Sequence, residues 1–320
     1  MRATSQAQPN IALIKYWGKR EARQNLPEVG SLSLTLDTLW TRMAVEFDER
    51  PGEDRLLVNG APAASMLPRI SACLDEIAGE GRAAAAVTSE CNFPIAAGLA
   101  SSAAAFAALV MAASKANGRS LEAATLARLA GRASGSAARS MYPGIVELEA
   151  GARDIALRTL AGPDDWPLSV TVAITATHAK AVSSGTAMTI SKQTSPFYAS
   201  WEARQGDDLA VARRAVLERD FAALAGVAEH NCLKMHSVMW TSRPAIVYWS
   251  AATIACMQTV RALQDDGVPV FFTIDAGPQL KAVSLPEAAD TVADALRRTT
   301  GVVDVMCSPL GPGARLLGTA

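Results

Sequence analysis

The stretch that decides the fold is Asn92–Phe106, which reads NFPIAAGLASSAAAF and places a proline and a glycine before two adjacent serines. No charged residue occurs between Glu90 and Lys115. An uncharged run of this length is long enough to cross a bilayer. However, alanine dominates it rather than leucine, isoleucine or valine, and neither a basic cluster nor an aromatic belt frames it. We therefore expect no membrane span and no membrane partner.

Two interpretations of this stretch stay open from its residues alone. A helix over 101–117 that is apolar on every face would be buried on all sides. Alternatively, Gly98, Ser101 and Ser102 form a phosphate-binding turn, because the first turn of a helix has free N–H groups and the positive end of the helix dipole. Serine hydroxyls also suit Mg²⁺, which prefers oxygen ligands. The turn is not a Walker A loop, because no GK[ST] sequence follows it.

The composition is that of a globular enzyme. A chain of 320 residues is long enough for one large domain or two lobes. Its formal net charge of −1, without a long basic stripe, gives little electrostatic support to nucleic-acid binding. The five cysteines are scattered without a CxxC pair, which favours a reducing cytoplasm over a disulfide framework or a zinc site. The first ten residues lack the apolar segment of a secretory signal.

Hydrophobic periodicity predicts a mixture of strands and helices along the chain. The predicted strands run from 10 to a turn at Gly18 and over 31–36, 41–48, 85–91, 168–177, 269–274 and 302–307, with 315–317 completing a second lobe. The predicted helices cover 66–78, 101–117, 121–131 with Ser120 as N-cap, 196–219, 221–240 with Asp220 as N-cap, and 245–265. Residues 132–142 and 182–188 are predicted as loops rich in small residues. The three scattered histidines are expected to be structural.

Three charged residues in this pattern are candidates for chemistry, each with a plainer alternative. Lys15 interrupts an apolar strand and is either a surface lysine with a buried stem or a lysine held where water is excluded. Arg139 follows the small residues Ser134 and Ser136; it is either solvated or grips a carboxylate or phosphate with its planar fork. Asp275 ends a buried strand before a Gly-Pro turn and either caps that turn or presents a carboxylate to a cleft.

Four segments together resemble the diphosphomevalonate decarboxylases of the galactokinase, homoserine kinase, mevalonate kinase and phosphomevalonate kinase (GHMP) superfamily. They are NIALIKYWGKR at 10–20, NFPIAAGLASSAAAF at 92–106, GSAARS at 135–140 and FTIDAGP at 272–278. The pattern P-x-x-x-G-L-x-S-S-A alone indicates only the superfamily. IKYWGK and the aspartate of DAGP point to the decarboxylases, and the resemblance covers essentially the whole chain.

The resemblance implies an α+β fold with an N-terminal ribosomal-protein-S5-like lobe (1–167), a C-terminal α/β sandwich lobe (168–320) and a cleft between them. It implies ATP-dependent decarboxylation of mevalonate 5-diphosphate to isopentenyl diphosphate through 3-phosphorylation, with ATP and Mg²⁺, in the mevalonate pathway of isoprenoid biosynthesis. A cytoplasmic homodimer with no nucleic-acid partner is expected.

The resemblance also assigns roles to individual residues. The catalytic group is Asp275 near the 3-hydroxyl, Lys15 beside it, and Arg139 on the C1 carboxylate. The nucleotide site comprises Pro94, Ala97, Gly98, Leu99, Ala100, Ser101 and Ser102, and the metal meets Ser101 or Ser102. The substrate site comprises Asn10, Tyr16, Lys19, Ser134, Ser136, Arg139 and Ser184.

Two departures from the family pattern keep alternatives open. Gly30 stands where many relatives carry Ser or Asn, and Gly185 stands where some bacterial relatives carry an arginine on the substrate diphosphate. Decarboxylation of mevalonate 5-phosphate is therefore an alternative. A kinase that phosphorylates the 3-hydroxyl of mevalonate or phosphomevalonate without decarboxylation, and a non-catalytic ligand-binding protein, are further rivals.

Overall fold

The chain folds into a mixture of strands and helices in the computed structural model, which describes residues 1–48, 52–94, 98–149, 151, 154–178 and 180–317. The strands are β1 (Arg2–Ala7), β2 (Asn10–Ile14), β3 (Lys19–Glu21), β4 (Leu26–Pro27), β5 (Ser31–Thr35), β6 (Thr41–Asp48), β7 (Arg55–Val58), β8 (Ala61–Pro62), β9 (Ala84–Cys91), β10 (Ile145–Leu148), β11 (Leu157–Ala161), β12 (Ser169–Ile174), β13 (Val270–Ile274), β14 (Leu280–Ser284), β15 (Asp304–Pro309) and β16 (Arg315–Leu317). The α-helices are α1 (Leu67–Ala78), α2 (Ser101–Ala116), α3 (Ala123–Ala133), α4 (Ser184–Thr194), α5 (Tyr198–Glu218), α6 (Phe221–Trp240), α7 (Ala251–Asp265) and α8 (Ala289–Arg297). Short 3₁₀ turns cover Ala137–Met141 and Pro286–Ala288.

The first lobe is built on a sheet of order β16-β1-β6-β9-β7-β8. Strand β6 alternates in the way that a half-buried strand requires, with Met43 and Val45 buried. Helix α2 packs across β1 and β6, and its alanines allow a close approach. The hydroxyl of Ser5 on β1 donates to the carbonyl of Ala108 at 2.5 Å, so the strand is bonded directly to the helix backbone.

Two four-stranded sheets have the orders β11-β10-β5-β2 and β13-β14-β12-β15, and β3 pairs with β4 in a two-stranded sheet. One apolar cluster spans both four-stranded sheets and helices α5 and α6, and it includes Leu34, Val172 and Leu209. Helices α7 and α8 contribute Val260 and Leu296 to a separate cluster with the third sheet. The second and third sheets therefore share a core, and β2 lies beside α5 and α6.

Several predicted elements are confirmed. Helix α2 covers 101–116 and is buried along most of its length, and Asn117 is its C-cap. Helix α6 has the predicted bounds, and the side chain of Asp220 caps it by accepting from the N–H of Ala223 at 2.9 Å. The mixed α+β class is also confirmed.

Other predictions are wrong in detail. Helix α3 begins at Ala123, because the carbonyl of Glu122, not that of Ser120, accepts the first helical hydrogen bonds. Part of the predicted loop at 182–188 is helical, since the Ser183 side chain caps α4. The last predicted helix starts later, at Ala251, where Ser250 forms a capping box.

The segment after Arg132 also differs from the predicted loop. Helix α3 continues to Ala133, and a 3₁₀ turn then carries Arg139. At the end of the chain, β16 was expected in the second lobe but pairs antiparallel with β1, with Ser5 opposite Leu316. Edge pairing with β1 brings the chain back to the first sheet.

Candidate active site

Asp275, which directly follows β13, lies between two lysine ammonium groups. The Nζ of Lys15 lies 2.7 Å from its Oδ1, and the Nζ of Lys281 lies 3.2 Å from its Oδ2. Both lysines are fully buried, whereas the aspartate side chain is 23% exposed. Two buried cations thus contact the carboxylate, and part of its side chain remains accessible.

The charge state of this group follows from its neighbours. Burial alone would raise the pKa of Asp275, but the ammonium groups of Lys15 and Lys281 outweigh burial and hold that pKa well below its usual range. Burial lowers the pKa of Lys281, and the charge of Asp275 opposes this shift. Asp275 is therefore a carboxylate at neutral pH.

The backbone of Lys15 is fixed by two side-chain amides at the end of β2. Its N–H donates to Oδ1 of Asn231 on α6 at 2.9 Å, and its carbonyl accepts from Nε2 of Gln205 on α5 at 2.9 Å. The two amides are joined by a 2.8 Å bond from Asn231 to Gln205. The Lys15 ammonium also donates to the Ala12 carbonyl at 2.8 Å. Lys15 is consequently a buried, positioned cation and not a surface lysine.

The glycine–serine turn faces Asp275 from the first lobe. Gly98 has a φ of +85°, and a Cβ built on it would lie 3.0 Å from the Cα of Gly277, so both the conformation and the contact require glycine. Ala100 is left-handed, with a φ of 53°, and α2 begins at the next residue without a side-chain cap. A helix of 16 residues therefore starts beside Asp275, and its N-cap residue, Ala100, makes no side-chain capping bond to the first turn.

The other predicted nucleotide residues lie along the same turn. Leu99 is buried, Pro94, Ser101 and Ser102 are half-buried, and Ala97 falls outside the described residues. The hydroxyls of Ser102 and Ser134 are 3.0 Å apart, which links the turn to the end of α3.

Arg139 is buried beside this turn. Its Nη1 donates to the Ser31 hydroxyl at 2.7 Å and its Nε to Oδ1 of Asn10 at 3.3 Å. Asn10 in turn donates to the Ser140 hydroxyl at 2.8 Å and to the Ser136 carbonyl at 3.0 Å. Asn10 and Ser31 thereby fix the orientation of the guanidinium.

The burial and charge of Arg139 indicate that this residue binds an anionic ligand. Burial lowers its pKa to about 10, and the charges of Tyr16 and Asp275 oppose this shift. It remains cationic at neutral pH, where Tyr16 is uncharged and Asp275 is the nearby anion, yet it forms no ion pair within 4 Å with any residue that the structure describes. A buried cation without a directly bonded counter-ion is costly unless a ligand supplies the negative charge.

Tyr16 and Lys19 lie at a neighbouring part of the cleft. The Tyr16 hydroxyl donates to the Asn25 carbonyl at 2.9 Å, its ring lies 5.6 Å from the Arg139 guanidinium, and burial raises its pKa to about 12. A Cβ on Gly135 would lie 2.4 Å from the Tyr16 hydroxyl, so the ring occupies the space that this glycine leaves. Burial, and then the positive charge of Arg69, lower the pKa of Lys19.

Three lysine and arginine residues of the cleft were missed from the sequence: Lys180, Lys281 and Arg69. The Lys180 ammonium donates to the Ser184 hydroxyl at 2.7 Å and to the Ala276 carbonyl at 2.8 Å, and burial lowers its pKa to about 8 although Asp275 opposes this. A signal for Lys281 existed, because it interrupts an apolar strand as Lys15 does. Lys180 and Arg69 do not interrupt a predicted apolar strand and so give no such signal.

The side chains of the site limit which kind of metal ion could bind there. Within the described ranges, no group of three or more His, Cys, Asp or Glu side chains is placed to bind one. The residues fit a magnesium ion that is carried by a polyphosphate and whose coordination is completed by hydroxyl groups, because Mg²⁺ keeps waters and phosphate oxygens among its ligands.

His236 is buried with its pKa lowered to about 3, chiefly by burial, consistent with a structural histidine. None of the described helices is both long and apolar enough to cross a bilayer.

The fold and this site define the class of the protein: a two-lobed α+β protein of the GHMP kinase type, with a glycine–serine turn opposite a lysine-paired aspartate. Two family models match it, the diphosphomevalonate decarboxylase-like N-terminal domain over residues 7–158 and the mevalonate 5-diphosphate decarboxylase C-terminal domain over residues 170–307. The chain belongs to the diphosphomevalonate decarboxylase family.

Individual relatives agree with this assignment. The chain is 33% identical over 317 residues to diphosphomevalonate decarboxylase of Homo sapiens, covering 91% of this chain and 78% of that protein. It is 32% identical over 312 residues to the enzyme of Eremothecium gossypii, covering 89% and 78% respectively.

Two solved structures are similar over nearly their whole lengths. A complex described as MDDEF with MVAPP, AMPPCP and magnesium has a TM-score of 0.92 at 32% identity, with 100% of this chain and 99% of that chain covered. Mevalonate diphosphate decarboxylase from Staphylococcus aureus has a TM-score of 0.92 at 31% identity, with 99% and 98% covered. The predicted family and fold are confirmed.

Proposed function

We propose that this chain catalyses the ATP-dependent decarboxylation of mevalonate 5-diphosphate to isopentenyl diphosphate, with ADP, phosphate and carbon dioxide as the other products. The observation that carries the proposal is the ionised Asp275, paired with Lys15 and facing the Gly98 turn. Two further facts support it: the relatives are named for this reaction, and the similar MDDEF structure is a complex with MVAPP, AMPPCP and magnesium.

The turn from Gly98 to Ser102 is proposed to bind the phosphates of ATP, with Pro94, Ala97, Leu99 and Ala100 as the rest of this segment. The first turn of α2 offers N–H groups and the helix dipole to a polyphosphate. A hydroxyl of Ser101 or Ser102 is proposed as a ligand of the magnesium ion, which when bound neutralises charge on the transferring phosphoryl group.

Asp275 is proposed to accept the proton of the 3-hydroxyl. Its low pKa makes it a weak base, so proton transfer is expected late, when bonding to phosphorus has made the hydroxyl more acidic. Lys15 keeps the carboxylate oriented. Because phosphoryl transfer depends mainly on positioning and charge stabilisation, this geometry suits the step.

The same carboxylate is proposed to assist decarboxylation. When the bond between C3 and the phosphorylated oxygen breaks, its electron pair leaves with phosphate and positive character develops at the tertiary carbon. The C1–C2 bond then breaks, and its pair forms the C2–C3 double bond as carbon dioxide departs. Because its pKa is low, Asp275 passes the proton that it took from the 3-hydroxyl on to water before this stage and is again the anion, so it stabilises the developing positive charge.

Arg139 is proposed to hold the C1 carboxylate, with Asn10, Ser134 and Ser136 around it. Its buried guanidinium is oriented by Ser31 and Asn10 and lacks an ion pair among the described residues, so a bidentate carboxylate would supply the charge. Fixing C1 in this way aligns the breaking bond with the emptying orbital at C3.

The diphosphate is proposed to lie against Tyr16, Lys19 and Ser184. After burial, the positive charge of Arg69 contributes to the lowered pKa of Lys19, and neither side chain forms an ion pair with a residue of the described ranges. Lys19 is half-buried and Arg69 is exposed, and an anionic diphosphate would be attracted to both. Arg69 therefore offers charge to the diphosphate at a site where Gly185 contributes none.

The test compares mevalonate, its 5-phosphate and its 5-diphosphate with Mg-ATP while ADP and carbon dioxide are both measured. We expect equal amounts of ADP and carbon dioxide with the diphosphate, and little turnover with the others. ADP without carbon dioxide would indicate a 3-hydroxyl kinase, and carbon dioxide from the monophosphate alone would establish that alternative substrate. No ATP turnover with any of the three would favour a binding protein.

We further propose a cytoplasmic homodimer with lobes at 1–167 and 168–320. The five cysteines are all free thiols, which supports a reducing compartment. The dimer rests on the family resemblance, and light scattering on the purified protein tests it. Separate sheets support the lobe boundary, although β16 at 315–317 joins the first sheet.

A further inference from the structure

Lys281 is a buried charge whose position in the fold is unusual. It lies on β14, between β13 and β12, with Thr273 and Val172 as its cross-strand partners. Its side chain is fully buried in a strand that is buried throughout. An ammonium group in such a place is costly unless its donors are satisfied, so its contacts indicate why it is there.

Those contacts join the two sides of the cleft. The ammonium lies 3.2 Å from Oδ2 of Asp275 and donates to the carbonyl of Gly98 at 2.8 Å. Gly98 also packs against Gly277, two residues after Asp275. One side chain therefore contacts both the carboxylate and the turn proposed to bind ATP, across 183 residues of sequence.

We propose that Lys281 is a positioning residue that couples the Gly98 turn to Asp275, an inference that rests on the proposed function. With Lys15 on Oδ1 and Lys281 on Oδ2, rotation of the carboxylate would break one of the two contacts. The bond to the Gly98 carbonyl fixes the turn in the same frame. The phosphate site and the aspartate are thereby held at a constant separation, as in-line phosphoryl transfer requires.

The experiment uses Lys281→Met, which keeps much of the side-chain volume and removes the ammonium. Its matched control is Lys115→Met, which makes the same change in net charge at an exposed position of α2. For each protein, kcat and KM with mevalonate 5-diphosphate are measured, together with the Kd of AMPPCP by calorimetry and the thermal midpoint.

For Lys281→Met we expect kcat to fall by about 10- to 100-fold, the scale of a small misplacement of reacting groups. We expect the Kd for AMPPCP to rise about 3- to 10-fold, because the Gly98 carbonyl loses its donor. The KM for mevalonate 5-diphosphate should change less than about 2-fold, and Lys115→Met should match wild type. A lower active fraction would reduce kcat without changing the Kd for AMPPCP, so the Kd separates coupling from a merely structural role.

A Lys281→Met protein with wild-type AMPPCP affinity, or with kcat within about 2-fold of wild type, would overturn the proposal. If Lys281→Met does not fold, Lys281→Gln serves instead, because its amide can still donate to Gly98 but carries no charge. That variant should keep the AMPPCP affinity and lose kcat, and an unchanged kcat would equally refute the coupling. If wild type releases no carbon dioxide, the proposed function fails, while AMPPCP binding still tests the link.

Discussion

Replacing Asp275 with asparagine tests the central feature of the site with almost no change in shape. The substitution removes the negative charge that lies 2.7 Å from Lys15 and 3.2 Å from Lys281. Two buried ammonium groups then face each other without a carboxylate between them. Breaking a buried ion pair in this way costs about 3–5 kcal/mol, and the partial exposure of Asp275 favours the lower end. A domain with a typical unfolding free energy of about 5–15 kcal/mol remains folded after this loss.

The effect on catalysis is expected to be larger than the effect on binding. A positioned general base contributes about 10²–10⁴-fold, and the proposed charge stabilisation at the tertiary carbon is lost with it. We therefore expect kcat to fall by at least about 10³-fold. The affinity for AMPPCP should not weaken, because the site has become more positive and the nucleotide is an anion.

The assay measures ADP and carbon dioxide release at saturating substrates, AMPPCP binding by calorimetry, and urea unfolding at neutral pH. Asp265→Asn, the same chemical change at the exposed end of α7, is the control. If Asp275→Asn keeps kcat within about 10-fold of wild type, the carboxylate is neither the base nor the stabilising charge. Unchanged unfolding free energy would show that the ion pairs contribute no net stability.

Three further predictions follow from the same geometry. Arg139→Ala should raise the KM for mevalonate 5-diphosphate by about 10- to 100-fold, which corresponds to the loss of a charged hydrogen bond worth about 1.5–3 kcal/mol, and should leave the KM for ATP within about 2-fold. Steady-state kinetics with each substrate varied in turn would measure both values. Equal changes in the two KM values would contradict the carboxylate role. Gly135→Ala places a methyl group 2.4 Å from the Tyr16 hydroxyl and should displace that ring, which raises the KM for mevalonate 5-diphosphate about 10-fold. The control is Gly206→Ala, because a Cβ at Gly206 meets nothing within 4 Å. Because the pKa of Asp275 is depressed, its contribution to the unfolding free energy is complete above the unfolded-state pKa of about 3.9 and is lost as pH falls from there through the folded-state pKa. Urea titrations should therefore give the same difference in unfolding free energy between wild type and Asp275→Asn at pH 7 and at pH 5. A smaller difference at pH 5 would be evidence against the shift.

The parts of the fold that could be predicted are those whose causes lie close together in the sequence. Helix α2 was predicted from a continuous alanine-rich run, and α6 from a local cap at Asp220. The errors at α3 and α4 also concern local signals, since Glu122 and Ser183 are the caps. Glu122 makes no side-chain capping bond that its residue type would announce, and Ser183, which does cap with its side chain, is followed by a second serine that could do the same.

The parts that could not be predicted depend on distant partners. Strand β16 joins β1, which begins the chain, and no property of 315–317 specifies that edge. Lys281 contacts Gly98 from 183 residues away, and the bonds that fix Lys15 come from Asn231 and Gln205 on two other helices. The sequence therefore supplies the candidate reacting groups, whereas the groups that hold them are visible only in three dimensions.

The cleft carries more positive charge than its own carboxylate can balance. Lys15 and Lys281 both pair with Asp275. The charge of Asp275 acts on Lys180, but within the described ranges the Lys180 ammonium is bonded only to neutral oxygens. Arg139 is bonded to the neutral side chains of Ser31 and Asn10. Each of these cations is desolvated, which destabilises the ligand-free protein. Anionic ligands relieve that cost, and a carboxylate, a diphosphate and a triphosphate are the groups that the proposed reaction brings together. Helix α2 contributes in the same way. Most of the helix is buried, and this packing holds its positive N-terminal end, where Ala100 makes no side-chain capping bond, beside Asp275.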